Sequence, residues 1–269
     1  MTAPPTDPPL PDRPGEADCC AYCGQPLNPH FYFCLACSRP YKPADSVVSP
    51  ATPMALTDGM LIQRKAPQVS GFFWTYFAVV VGLGVFSHFA FDNAYDSIGI
   101  LIREAGLLAV TCVFVALHWK CLPAQLNHTG LLRPQTWVGI LLLFPLFGLN
   151  MLYHDWLFSL AELTDPIDEL REAGTSETTL LVTICILPAI LEEVSFRGLL
   201  QHWLMEAVRP RTALVLTAAL FTVLHLSVAS APILFALGLL LGWTKWKSGS
   251  LYPVMLIHFA HNLMVLEFS

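Results

Sequence analysis

The sequence predicts an all-α polytopic membrane protein with about seven transmembrane helices, N-terminus inside and C-terminus outside. A small cysteine-rich module on the cytoplasmic side precedes them. Hydrophobic residues make up 55% of the 269-residue chain and charged residues only 13%, about half the charged share of a soluble globular protein. Apolar segments of about 20 residues recur, enough to cross a hydrocarbon core of roughly 30 Å at 1.5 Å per residue. The mean hydropathy of +0.57 agrees, and the sequence lacks the short alternating segments of a membrane β-barrel. A nucleic-acid partner is not expected, because there is no basic stripe and the pI is about 5.8.

Four regions follow in order. Residues 1–18, "MTAPPTDPPLPDRPGEAD", are rich in proline and charge and have no apolar h-region. They predict a disordered, polyproline-biased tail and not a signal peptide. Residues 19–45 form the cysteine module, residues 46–70 a linker rich in Pro and Ser/Thr, and residues 71–269 the transmembrane domain.

In the module, "CAYCGQPLNPHFYFCLAC" places Cys20 and Cys23 in one CxxC and Cys34 and Cys37 in another, with ten residues between them. Two such knuckles bring four thiolates together tetrahedrally around Zn²⁺, a closed structural site. The module resembles a zinc ribbon. It is too short to bury a useful core, so the metal provides most of its folding energy. Cys19 could replace Cys20, but only Cys20 gives the two-residue spacing. A cytoplasmic location favours metal over disulfide. A closed zinc site holds shape and does no chemistry, so the ribbon is a candidate binding surface for a cytoplasmic partner.

The spans are expected at about 72–91, 98–118, 137–158, 178–200, 212–229, 231–247 and 250–268. With the N-terminus inside, the inner segments carry Arg64 and Lys65, Lys120 and Arg133, Arg209 and Arg211, then Lys245 and Lys247. The outer segments carry Asp92 and Asp96, then the acidic stretch "ELTDPIDELREAGTSE". Basic residues fall inside at every turn, as the positive-inside rule requires. The expected location is the cytoplasmic membrane of a bacterium, with lipid as the surrounding partner. Gly238 and Gly242 form a small-xxx-small pair for close helix approach. Arg103 and Glu104, near the start of the second span, are expected to anchor depth or satisfy each other. Trp137, Trp156, Trp203, Trp243 and Trp246 lie near boundaries and are expected in the interfacial belt.

Charges within a bilayer are costly and usually mark function. Span four carries Glu192, Glu193 and Arg197 in "AILEEVSFRGLL", span five carries His225 in "FTVLH", and span seven carries His258, His261 and Asn262 in "HFAHN". Glu193 and Arg197 share a helix face at i, i+4 in the favoured order for a pair. Glu192 points about 100° away. A glutamate and a histidine in an apolar pocket can activate water. A second imidazole and an amide can donate to the oxyanion formed when that water attacks a carbonyl. These are the parts of a hydrolase that needs no covalent nucleophile. At 1.5 Å per residue, Glu192 falls toward the cytoplasmic end of its span, His258 about 12 Å in and His225 roughly 20 Å in, a mismatch that tilt, a later start to span five or a broken helix would close.

"EEVSFR", "FTVLH" and "HFAHN" resemble the motifs EExxxR, FxxxH and HxxxN of the CPBP family, also called the Abi or CAAX-protease family, which includes Rce1-type prenyl-protein endopeptidases. The match covers about 178–268, the protease core. The resemblance implies an intramembrane protease. Glu192 would activate water with help from His225, Glu193 and Arg197 would form a supporting ion pair, Phe221 would pack the site, and His258 with Asn262 would form the oxyanion hole. It implies a membrane-associated peptide or protein substrate and no catalytic metal. The alternatives are a metal-dependent membrane hydrolase and a non-enzymatic scaffold or immunity-type protein.

Overall fold

The computed structural model describes Cys34 and residues 58–90, 97–161 and 165–268. Cys34 is buried; Cys20, Cys23 and Cys37, and with them the proposed zinc ribbon, lie outside the described residues. Among the described residues there are helices and no strands. In chain order they are α1 (Asp58–Ala90), α2 (Ser97–His118), α3 (Pro134–Ala161), the short α4 (Pro166–Glu172), α5 (Glu177–Ala207), α6 (Pro210–Leu224), α7 (Ala231–Ser248) and α8 (Tyr252–Phe268). The chain is an integral membrane protein. The helical segments Ala66–Ala90, Ile98–Cys121, Pro134–Leu160 and Glu177–Ala207 are long and apolar enough to cross a membrane. The helices α6, α7 and α8 have 15, 18 and 17 residues. One helix thus lies over each expected span, with shifted ends, the largest at α1, which begins at Asp58 within the segment expected as linker and well before the expected 72. Span five ends as helix at Leu224, five residues before the expected 229, and span four runs on to Ala207 past the expected 200.

The extension of α5 comes from residues that look interfacial in sequence but are buried. Gln201 is inside and donates from Nε2 to the Gly242 carbonyl at 2.9 Å. Trp203 is 1% exposed, so it is a core residue and not a belt anchor. Its ring meets Phe72 edge-on at 6.0 Å. Trp137 and Trp156 do lie exposed, as belt residues should.

Helix α5 is the axis of the fold. Helices α1 and α2 pack against one side of it and α8 against another, and α6, α7 and α3 complete the bundle. Two stretches of α5, Leu181–Ile186 and Glu193–Leu200, are wound as π-helix. Such winding is rare and concentrates at functional sites. Widening the turn frees backbone carbonyls that need other donors. The Ile184 carbonyl accepts from Asn262 Nδ2 at 2.8 Å, and the Gly198 carbonyl accepts from Gln125 Nε2 at 2.9 Å. Amides from distant parts of the chain therefore clasp both π stretches.

Helices α6 and α7 meet closely because Gly238 faces Ala218; a Cβ at Gly238 would stand 3.1 Å from the Ala218 Cα. Gly249 (φ 70°) caps α7 in the left-handed region. The turn that follows is buried at Ser248, Ser250 and Leu251, so α8 begins inside the bundle.

Candidate active site

Three helices bring the polar residues together. Glu192 stands fifteen residues before the end of α5 at Ala207, and His225 fifteen residues after the start of α6 at Pro210. Both are thus about 22 Å from neighbouring helix ends. The depth mismatch of the sequence reading disappears because span four is longer than expected, and the buried start of α8 brings His258 to the same level.

The deepest part is a fully buried ion pair. Arg197 Nη1 donates to Glu193 Oε1 at 2.9 Å, and both side chains are 0% exposed. His258 Nδ1 reaches the same Oε1 at 2.8 Å. Phe221, completely buried, lies under the Arg197 guanidinium with its centroid 4.3 Å from Cζ. The Phe221 ring also packs on His225 at 4.5 Å and edge-on against Phe196 at 5.2 Å. One aromatic ring thereby spaces the ion pair from the His225 imidazole.

Above this pair, Glu192 Oε2 lies 3.9 Å from His225 Nε2 and 3.9 Å from His258 Nε2. Those separations exceed a direct hydrogen bond, and Glu192 Oε2 has no hydrogen-bond partner. Three polar atoms converging across such gaps match the geometry that one bridging water fills. The tautomers follow from the outer nitrogens. His225 Nδ1 is 2.8 Å from the Phe221 carbonyl, which can only accept, so Nδ1 carries the proton. His258 Nδ1 likewise donates to the Glu193 carboxylate. In the neutral rings both Nε2 atoms are left as acceptors facing Glu192.

His225 caps the end of α6, and the next residue, Leu226, has φ 53°. A left-handed leucine is a strained conformation worth on the order of 1–2 kcal/mol. Here it ends the helix sharply beside the imidazole that faces Glu192.

Asn262 is placed differently from Glu192, Glu193, Arg197, His225 and His258. One turn along α8 from His258, its amide is on the Ile184 carbonyl, and its Oδ1 is 3.1 Å from His261 Nδ1. It fixes α8 against the first π stretch.

A cavity of about 170 Å³ opens beside Glu192 and His225. Its far wall comes from α1 and α2, through Tyr76, Val80, Glu104, Leu107 and Thr111. Tyr76 Oη hydrogen-bonds the hydroxyls of Thr111 and Ser195, tying α1, α2 and α5 together at that wall. From sequence, Arg103 and Glu104 are expected to anchor depth or satisfy each other; the structure puts Glu104 in the same cavity as Glu192. The signal that could have found it is its charge within an otherwise apolar span.

Residues 174–264 match the family model described as type II CAAX prenyl endopeptidase Rce1-like. That interval holds α5, α6, α7 and most of α8, and so every residue of the Glu192 cluster. No curated protein and no solved structure matches the chain.

Proposed function

From the premise that residues 174–264 are an Rce1-like domain, we propose that the chain is an intramembrane endopeptidase that hydrolyses a peptide bond with water activated between Glu192 and His225. The observation that carries this is the convergence of Glu192 Oε2 with two imidazole Nε2 atoms at 3.9 Å. The water oxygen attacks the scissile carbonyl carbon while its proton passes to the Glu192 carboxylate, with His225 Nε2 accepting the other O–H. The carbonyl π electrons move onto oxygen. His258 donates to that oxyanion from Nε2 when its ring is charged, with Glu193 on the opposite nitrogen as counter-charge. Asn262 keeps one amide hydrogen on Ile184 and offers the second. The oxyanion then collapses, the C–N bond breaks, and Glu192 returns its proton to the leaving amine.

Metal-free action is part of the proposal. It is supported by Glu193, whose Oε1 is already occupied by Arg197 and His258, and by the positive guanidinium that a bound cation would have to approach. The substrate is a membrane-associated peptide or protein. All seven apolar helices cross the bilayer in this reading, with the N-terminus cytoplasmic, as the basic inner segments require.

Purified full-length protein in proteoliposomes is expected to cleave members of a membrane-anchored fluorogenic peptide library, and to do so in chelator. Cleavage of no member would favour a scaffold. The spacing of Cys20, Cys23, Cys34 and Cys37 further supports one structural zinc in the N-terminal module. Elemental analysis is expected to find one zinc per chain, lost when residues 1–45 are deleted. Zinc that stays with residues 46–269 would place the metal in the membrane domain and contradict this assignment.

A further inference from the structure

We propose that the cavity beside Glu192 is a specificity subsite for one cationic side chain, a lysine or arginine flanking the scissile bond, and that Glu104 recognises its charge. This rests on the protease reading above and extends it to substrate class. The cavity, about 170 Å³, is smaller than the 300–1,000 Å³ typical of pockets for drug-sized ligands. It suits a single long side chain.

The walls have two characters. Val80, Leu107, Pro188, Leu191, Phe196 and Leu224 are apolar, a surface for the alkyl stem of such a side chain. The charged lining groups are Glu192 and Glu104, and among the described residues no Lys or Arg lines the cavity. Glu192 is committed to the water. Glu104 has no part in the hydrolysis, although a carboxylate in a membrane-spanning helix is costly and generally functional. Arg197 is turned away onto Glu193 and Phe221. The Tyr76 and Thr111 hydroxyls, held by their bonds to each other and to Ser195, add oxygen acceptors on the same wall. A bound ammonium or guanidinium would meet a carboxylate and fixed oxygens, with its stem against hydrocarbon.

The wall that carries Glu104 comes from α1 and α2, outside the Rce1-like domain at 174–264. Chemistry and selection are therefore supplied by different parts of the chain.

The test uses full-length protein in proteoliposomes and membrane-anchored peptides that differ only at a residue flanking the scissile bond, bearing lysine, norleucine or glutamate. The wild type is expected to favour lysine over norleucine in kcat/KM by about tenfold or more, the scale of a charge-assisted contact. Glu104→Gln is expected to bring that ratio near one. Glu104→Lys is expected to shift preference to the glutamate peptide, a gain that misfolding cannot produce. Equal handling of lysine and norleucine by the wild type would overturn the subsite while leaving the protease intact. A uniform loss in Glu104→Gln with the ratio preserved would also overturn it and make Glu104 a positioning residue. Binding of non-cleavable N-methyl versions of the same peptides separates the two claims. Lysine-selective binding that Glu104→Lys reverses, with no peptide cleaved, would uphold the subsite and remove the protease reading.

Discussion

Replacing Arg197 with methionine is expected to destabilise the membrane domain by about 3–5 kcal/mol, the cost of leaving a buried charge without its partner. Arg197 and Glu193 are both inaccessible to solvent, and Arg197 Nη1 donates to Glu193 Oε1 at 2.9 Å. Without the guanidinium, Glu193 keeps only His258 at 2.8 Å, and Phe221 loses the cation over its face. Removing both charges is a different case, because a buried pair replaced as a unit is often nearly neutral. Arg197→Met/Glu193→Gln should therefore recover part of the loss. Thermal unfolding in detergent, followed by tryptophan fluorescence, checks this through a double-mutant cycle. Additive losses in the double variant would mean that the two side chains do not act as a pair.

His225→Ala is expected to lower kcat/KM by a factor of about 10²–10⁴, the usual contribution of a positioned acid/base group. The His225 ring is held from two sides, by the Phe221 carbonyl at 2.8 Å and by a tilted contact with the Phe221 ring at 4.5 Å. That leaves Nε2 aimed at Glu192 Oε2. Because both residues act on one water, their losses should not add; a His225→Ala/Glu192→Gln protein should be about as slow as the worse single variant. Activity measured on one library substrate with all four proteins decides it. Multiplicative losses would show that His225 works on something other than the Glu192 water.

The bundle was legible in sequence because lipid imposes length and apolarity on each span, and composition alone records both. The cluster was legible because Glu192, Arg197, His225 and His258 are expensive residues in such segments, and costly residues stand out against leucine and valine. What stayed hidden depends on pairings between distant helices. Gln201 and Trp203 look like the polar and aromatic fringe of a span, and only contact with Gly242 and Phe72 shows them to be core. The π winding of α5 leaves no compositional mark, since its freed carbonyls at Ile184 and Gly198 are answered by Asn262 and Gln125 from elsewhere in the chain. Glu104 was visible as a charge, yet nothing local says that α2 faces Glu192 across a cavity. The depth mismatch of His225 came from ending span four seven residues too early.

The most direct test of water activation by Glu192 is the cleavage rate of one membrane-anchored substrate, in chelator, by wild type and by Glu192→Gln. The proposed chemistry predicts that the wild type keeps cutting, while the variant, isosteric but unable to take a proton from water, falls by about a thousandfold with its thermal unfolding little changed. Wild-type turnover by Glu192→Gln would contradict it, whatever the rest of the fold resembles.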